Sequence, residues 1–157
     1  MFEFLKKDLK VLAPVAGTTI DLSNVPDEVF AKKMAGDGLA IESIGNVFVA
    51  PADGDLSLVF KTNHAFAMEI AGEVELLVHI GIDTVSLNGE GFERLVEPGV
   101  KVKAGTPIIR IDREFIESKG FSLITPILIT NPDVIKEMNP IINKKVDAGI
   151  DTVLTYR

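Results

Sequence analysis

From Lys10 onward the apolar residues fall into short runs broken by proline and glycine: VLAPVAG (11–17), TTIDL (18–22), NVFVAPADG (46–54), LSLVF (56–60), VELLVHI (74–80), PIIRID (107–112) and FSLITPILIT (121–130). Runs of strand length at such regular spacing predict an all-β fold, an antiparallel sandwich or barrel. Helical patterns are few and short. Residues 26–33 open with proline and acids and close on lysines, and 113–118 and 132–138 are one-turn or two-turn candidates, none long enough to form a layer. An amphipathic turn through Phe2, Leu5 and Leu9 reads as a frayed terminus.

Two echoes run through this pattern. Ala13-Pro14-x-x-Gly17 recurs as Ala50-Pro51-x-x-Gly54, and VKAGTPII (102–109) recurs as VDAGIDTV (146–153). Each member of the first pair reads as a strand entering a tight turn, and each of the second as strand, glycine turn, strand. The pentapeptide GIDTV itself occurs twice, from Gly81 and from Gly149. Only the first copy has a histidine two residues upstream, so only the first is given chemistry.

Period-two alternation locates both histidines of the chain. In VELLVHI, Val74, Leu76, Val78 and Ile80 share the core face, which leaves His79 with Glu75 and Leu77 on the other side, at the end of a strand. In KTNHAF, Thr62, His64 and Phe66 share a strand face, so the Thr62 hydroxyl is expected to bond the His64 ring and fix its tautomer. Past His79 the chain turns through Gly81 and Asp83, and either a backbone carbonyl of that turn or the Asp83 carboxylate can take the Nδ1 proton and leave Nε2 free as nucleophile or ligand. Asn88-Gly89-Glu90-Gly91 adds turn backbone nearby.

Composition narrows the chemistry. At 157 residues with 46% apolar and 25% charged content, the chain is expected to form a single domain, 1–157. Cysteine is absent, which rules out disulfides, zinc-thiolate sites and a cysteine nucleophile, and fits a cytoplasmic protein. The charge of −7 argues against nucleic acid and for a basic protein partner. No apolar run approaches the ~20 residues of a membrane span, so no direct membrane insertion is expected. Charges at Glu3, Lys6, Lys7 and Asp8 interrupt any signal-peptide core. A zinc hydrolase built on His64, His79 and Asp83 lacks the usual HExxH or HxH spacing. A lipoyl or biotinyl carrier would need a lysine at a hairpin tip, where Ala67-Met68-Glu69 stands.

Taken together, VPDEVF (25–30), MAGDGLAI (34–41), VAPADG (49–54), TNHAF (62–66), HIGIDTVSLNGEGF (79–92) and TPI (125–127) resemble the glucose-type enzyme IIA domain of the bacterial phosphoenolpyruvate-dependent sugar phosphotransferase system, over nearly the whole chain. The resemblance implies a β-sandwich of the duplicated-hybrid-motif type with short helical turns. It also implies a phosphoryl relay from the carrier HPr to a cysteine on a IIB domain, with no cofactor required. His79 would be the phosphorylated residue, His64 its partner and Thr62 the support of His64, while the Gly81 carbonyl would accept the Nδ1 proton of His79. Asp27 and Asp83 would form the acidic pair beside the site and meet arginine on the donor. Val29, Phe30, Met34, Ala35, Phe60 and Val85 would form the apolar docking surface.

The chain departs from the family pattern at Ser86, where some members carry glutamate, and over 131–139. Two further readings stand beside the relay. In one, the same face is a regulatory module that docks metabolic enzymes or permeases and is switched by phosphorylation. In the other, a zinc ion is shared between His64, His79 and a partner's carboxylate.

Overall fold

A computed structural model describes residues 8–157, so the N-terminal turn expected through Phe2 and Leu5 lies outside the described residues. The described residues form fourteen strands: β1 (Leu9–Leu12), β2 (Gly17–Ile20), β3 (Asp37–Ser43), β4 (Val47–Val49), β5 (Gly54–Val59), β6 (Ala65–Ile70), β7 (Val74–His79), β8 (Phe92–Arg94), β9 (Val100–Val102), β10 (Pro107–Ile111), β11 (Ile124–Ile129), β12 (Met138–Pro140), β13 (Lys145–Val146) and β14 (Thr152–Tyr156). Two short α-helices among the described residues, α1 (Glu28–Ala31) and α2 (Arg113–Ser118), fall within the candidate segments 26–33 and 113–118. Each is capped by an aspartate: Asp27 accepts from Val29 N–H, and Asp112 from Phe115 N–H.

The strands form one eight-stranded sheet, in the order β13-β2-β3-β11-β7-β6-β5-β9, and two three-stranded sheets, β1-β14-β12 and β4-β10-β8. All pairings are antiparallel. Leu39, Ile41, Phe66, Met68, Leu76, Val78 and Ile127 of the large sheet pack in one buried cluster with Val11, Phe48, Ile108, Ile109, Val153 and Leu154 of the small ones. The architecture is therefore a sandwich. The large sheet ends on β13 and β9 without closing, which decides against the barrel alternative.

Both faces of the middle of that sheet are covered. On the side away from the main core, Leu22, Val25 and Phe30 pack over Ala40, Ile82 and Leu128, with Leu77 against them. This small second core holds α1 to the sheet beside the end of β7. Its existence follows from the sequence of β3, where Leu39, Ala40 and Ile41 are consecutively buried, as a strand covered on two faces requires.

The two sequence echoes are the same device used twice. Leu12 N–H donates to Pro51 O at 2.7 Å while Val49 N–H donates to Pro14 O at 2.8 Å, so the two Ala-Pro turns bond each other reciprocally. Ala13 exchanges backbone bonds with Asp151 and Gly149, and Ala50 with Thr106 and Gly105. Gly17 pairs with Val146 and Gly54 with Val102. Gly105 and Gly149, both at positive φ, approach closely, with the Cβ that Gly149 lacks falling 3.2 Å from the Gly105 Cα. The repeated letters are thus repeated contacts across a duplicated frame.

One element departs from its sequence pattern. Residues 132–138 form a single 3-10 turn, Pro132–Val134, and then extend into β12. The N–H groups of Lys136 and Glu137 both bond Arg157 O, so pairing with β14 captures the segment before a second helical turn can form.

Gly17 and Gly54 are positions of this frame that do not tolerate a side chain, because a Cβ at either would drive into the carbonyl oxygen of Glu42 or Glu69 on the adjoining strand. Gly17→Ala and Gly54→Ala are each expected to destabilise the protein by about 2 kcal/mol or more. Gly45→Ala, whose Cβ would meet only the Val15 side chain and Ala16 at 3.2 Å and beyond, is expected to cost less. Urea unfolding midpoints of the three variants check the order.

Candidate functional site

His79 is the last residue of β7 and lies opposite Ala65, the first of β6. Val74, Leu76, Val78 and Ile80 are buried and His79 is half-buried on the opposite face, as alternation required. Immediately before β6 comes His64, which is only 4% exposed. Its carbonyl accepts from Ile80 N–H at 2.7 Å, tying together the two segments that carry the histidines. The two rings lie 5.0 Å apart, centroid to centroid, at 81°.

The expected strand alternation through 62–66 is not how Thr62 reaches His64. The chain reverses there, with Asn63 in the left-handed region at φ 59, and β6 begins only at Ala65. Phe66 points into the main core. Thr62 Oγ1 nevertheless lies 2.6 Å from His64 Nδ1, so the contact is made across a turn. The sequence signal for that turn was Asn63 itself, since asparagine is enriched several-fold in the left-handed region.

Of the two proton acceptors left open for His79, the structure chooses the carbonyl. Nδ1 lies 2.8 Å from Gly81 O. A carbonyl only accepts, so Nδ1 carries the proton and Nε2 keeps its lone pair. Gly81 sits at φ +83, and a Cβ there would come within 2.6 Å of Thr84 Cγ2 and 2.8 Å of Ser122 O. No other residue type fits. Thr84 Oγ1 donates back to Ile80 O, and Ile82 N–H to Ser122 O, which anchors the turn on both sides. Asp83, also at positive φ, is exposed and opens the 3-10 turn Thr84–Leu87.

Burial governs the electrostatics. It pushes the His64 pKa down from 6.5 to about 4, with the neighbouring His79 adding to the effect. Burial also lowers His79; the Gly81 bond and the charges of Asp27 and Asp83 act in the opposite direction without cancelling it. Both imidazoles are therefore neutral at pH 7, and Asp27 and Asp83 are near enough to act on His79 although they lie on different elements.

Aromatic rings wall the pair: Phe30 stands 5.0 Å from the His79 ring and Phe60 5.3 Å from the His64 ring. Of the six apolar residues expected to form a docking surface, Val29, Met34 and Val85 are exposed, at 45%, 70% and 50%. Phe60 is half-buried, while Phe30 and Ala35 belong mainly to the second core. Phe30 backs the His79 ring from that core. Among the described residues no group of three or more histidine, cysteine, aspartate or glutamate side chains is placed to hold a metal ion. The set His64, His79 and Asp83 is not brought together as a ligand triad, and two imidazoles fall short of the four ligands of tetrahedral zinc.

No helix among the described residues is long and apolar enough to cross a membrane. Residues 9–135 match the family model described as phosphoenolpyruvate-dependent sugar phosphotransferase system, EIIA 1. The chain is 45% identical to the glucose-specific EIIA component of Haemophilus influenzae over 152 residues, covering 96% of this chain and 90% of that one. It is also 45% identical to the corresponding protein of Borreliella burgdorferi over 138 residues, covering 87% and 73%. At 44% identity it matches an N-acetylglucosamine-specific EIICBA component of Klebsiella pneumoniae, covering 88% of this chain and 21% of that longer one. Among solved structures, the glucose permease IIA from Mycoplasma capricolum superposes with a TM-score of 0.89 at 42% identity, covering 97% of each chain. With its paired histidines, its open β-sandwich and these relatives, the chain belongs to the EIIA 1 family of the phosphoenolpyruvate-dependent sugar phosphotransferase system.

Proposed function

We propose that this chain is a phosphoryl carrier of the sugar phosphotransferase system, acting in the cytoplasm, that accepts phosphate from phospho-HPr on Nε2 of His79 and passes it to a cysteine of a IIB domain. The observation that carries the reading is the Nδ1–H···O=C bond from His79 to Gly81, which turns the lone pair of Nε2 away from the turn while burial keeps the ring neutral. In the first step the Nε2 lone pair attacks phosphorus as the donor's P–N bond breaks. In the second, a thiolate of the acceptor attacks and the His79 P–N bond breaks. A neutral imidazole is nucleophilic and its phosphorylated form a good leaving group, so neither step needs a cofactor.

His64 stands beside the transferring group. With Thr62 donating its hydroxyl proton to Nδ1, Nε2–H of His64 becomes a donor aimed at the phosphoryl oxygens, whose charge is about −2. Val29, Met34 and Val85, rimmed by Asp27 and Asp83, form the docking face for HPr and for IIB. The names of the Haemophilus and Borreliella proteins point to glucose as the sugar served. The Klebsiella relative joins IIA to IIB and IIC in one chain, which supports a IIB domain as the acceptor. The exposure of Val29, next in sequence to the Phe30 whose ring meets His79, also suits the regulatory reading, because phosphate on His79 would place charge in an apolar contact. Pull-downs that retain the same partners with phosphorylated and unphosphorylated protein count against that switch.

Incubation with phosphoenolpyruvate, enzyme I and HPr tests the relay. His79→Ala is expected to take up no acid-labile phosphate; uptake at the wild-type level overturns the assignment. His64→Gln is expected to accept phosphate but donate it about a hundred-fold more slowly, and normal donation removes His64 from the mechanism.

Because both histidine pKa values lie below 6.5 in the folded state, the unfolded chain binds more protons below that pH. The associated stability is fully present above 6.5 and is lost as pH falls toward 4. Denaturation midpoints should therefore decline over this window in the wild type and less steeply in His64→Gln.

Met34→Glu and Val85→Glu alter exposed side chains and should leave unfolding midpoints almost unchanged. Each is expected to weaken HPr binding by about ten-fold, read by calorimetry. Unchanged affinity in both places the docking face elsewhere.

A further inference from the structure

The turn that carries Thr62 and His64 is held by a residue far from it in sequence. Arg94, the last residue of β8, reaches across with its guanidinium: Nε donates to Asn63 Oδ1 at 2.8 Å and one terminal nitrogen donates to Phe60 O at 3.1 Å. The other terminal nitrogen pairs with Glu97 at 3.0 Å. The Arg94 side chain is 23% exposed, against 80% for Glu97, so the fork is seated against the turn and only its outer edge meets solvent. The turn closes on itself through Asn63 N–H to Phe60 O at 2.7 Å and Phe60 N–H to Ala65 O at 2.9 Å. Both acceptors of the fork are thus the residues that define the turn: Asn63 by its left-handed backbone, and Phe60 by its closing carbonyl and its ring on His64.

We propose that Arg94 is a positioning residue for His64: by clamping Asn63 and Phe60 it fixes the 60–64 turn so that the Thr62–His64 bond forms and Nε2 of His64 is left facing the reaction beside His79. The physical need is clear from the Thr62 bond. A hydroxyl rotates freely and can donate or accept, and a side chain two residues away holds a 2.6 Å contact only if the turn between them is rigid. Arginine suits the task because its planar fork meets two acceptors at fixed geometry, which the single ammonium of lysine does not. The inference deepens the relay reading and, for its kinetic half, rests on it.

The test uses two variants that break the clamp from opposite ends. Arg94→Met removes the fork, and Asn63→Gly removes one acceptor while keeping a residue that adopts φ 59 without strain. In both, 15N NMR of the full chain is expected to show His64 changing from one tautomer to a mixture and its midpoint rising from about 4 toward 6.5, with the His79 signals unmoved. Phosphate uptake by His79 should be unchanged, and donation to the IIB acceptor slower by about ten-fold, with Arg94→Lys recovering only part of the loss. His64 spectra identical to wild type in both variants overturn the clamp. Shifted His64 spectra with undiminished donation leave the clamp standing and overturn the relay role assigned to His64.

Discussion

One hydrogen bond, from Nδ1–H of His79 to the carbonyl of Gly81, sets the demands that the surrounding structure meets. Its net worth to folding is about 1 kcal/mol, yet it decides which ring nitrogen keeps a lone pair and where that lone pair points. It requires a histidine at the end of a strand, a glycine at φ +83 two residues on, and a turn that cannot relax. β7 supplies the first through its alternation, and the crowding of Thr84 and Ser122 against Gly81 enforces the second. Bonds from Thr84 to Ile80 and from Ile82 to Ser122 provide the third.

The scaffold behind this turn is a frame built from two matching halves. The reciprocal bonds between the two Ala-Pro turns and the close approach of Gly149 to Gly105 stiffen the sandwich. On the other face of the large sheet, a smaller core around Leu22, Val25 and Phe30 brings α1, and with it Asp27 and Val29, to the rim of the site. The histidines thus sit on a sheet buttressed from both sides, the arrangement that placement chemistry needs, since displacement of a reacting atom by about 1 Å costs on the order of a hundred-fold in rate.

The pentapeptide GIDTV shows how far local sequence goes. From Gly81 it buries Ile82 and Thr84, exposes Val85 at 50% and turns into a 3-10 helix; from Gly149 it exposes Ile150 at 72%, buries Val153 completely and becomes β14. Five identical residues adopt opposite burial patterns because neither conformation is strongly preferred by the segment alone. The first copy is captured by Ser122 and the second core, the second by pairing with β1 and β12.

The strand runs, the two paired echoes, the capped short helices and the placement of His79 off the core face were all legible in the sequence, because alternation, proline, glycine and capping residues act over a few positions. So was the family, from the long block that begins at His79. Other features required the tertiary structure. It chose the Gly81 carbonyl over the Asp83 carboxylate for the His79 proton and bent the chain at Asn63, so that Thr62 meets His64 across a turn. It sank Phe30 and Ala35 into a second core, drew 132–138 into a strand, and brought Arg94 onto the His64 turn. These are contacts between segments distant along the chain, and their partners are set by which surfaces the packed sheets bring together, a constraint that no local pattern records.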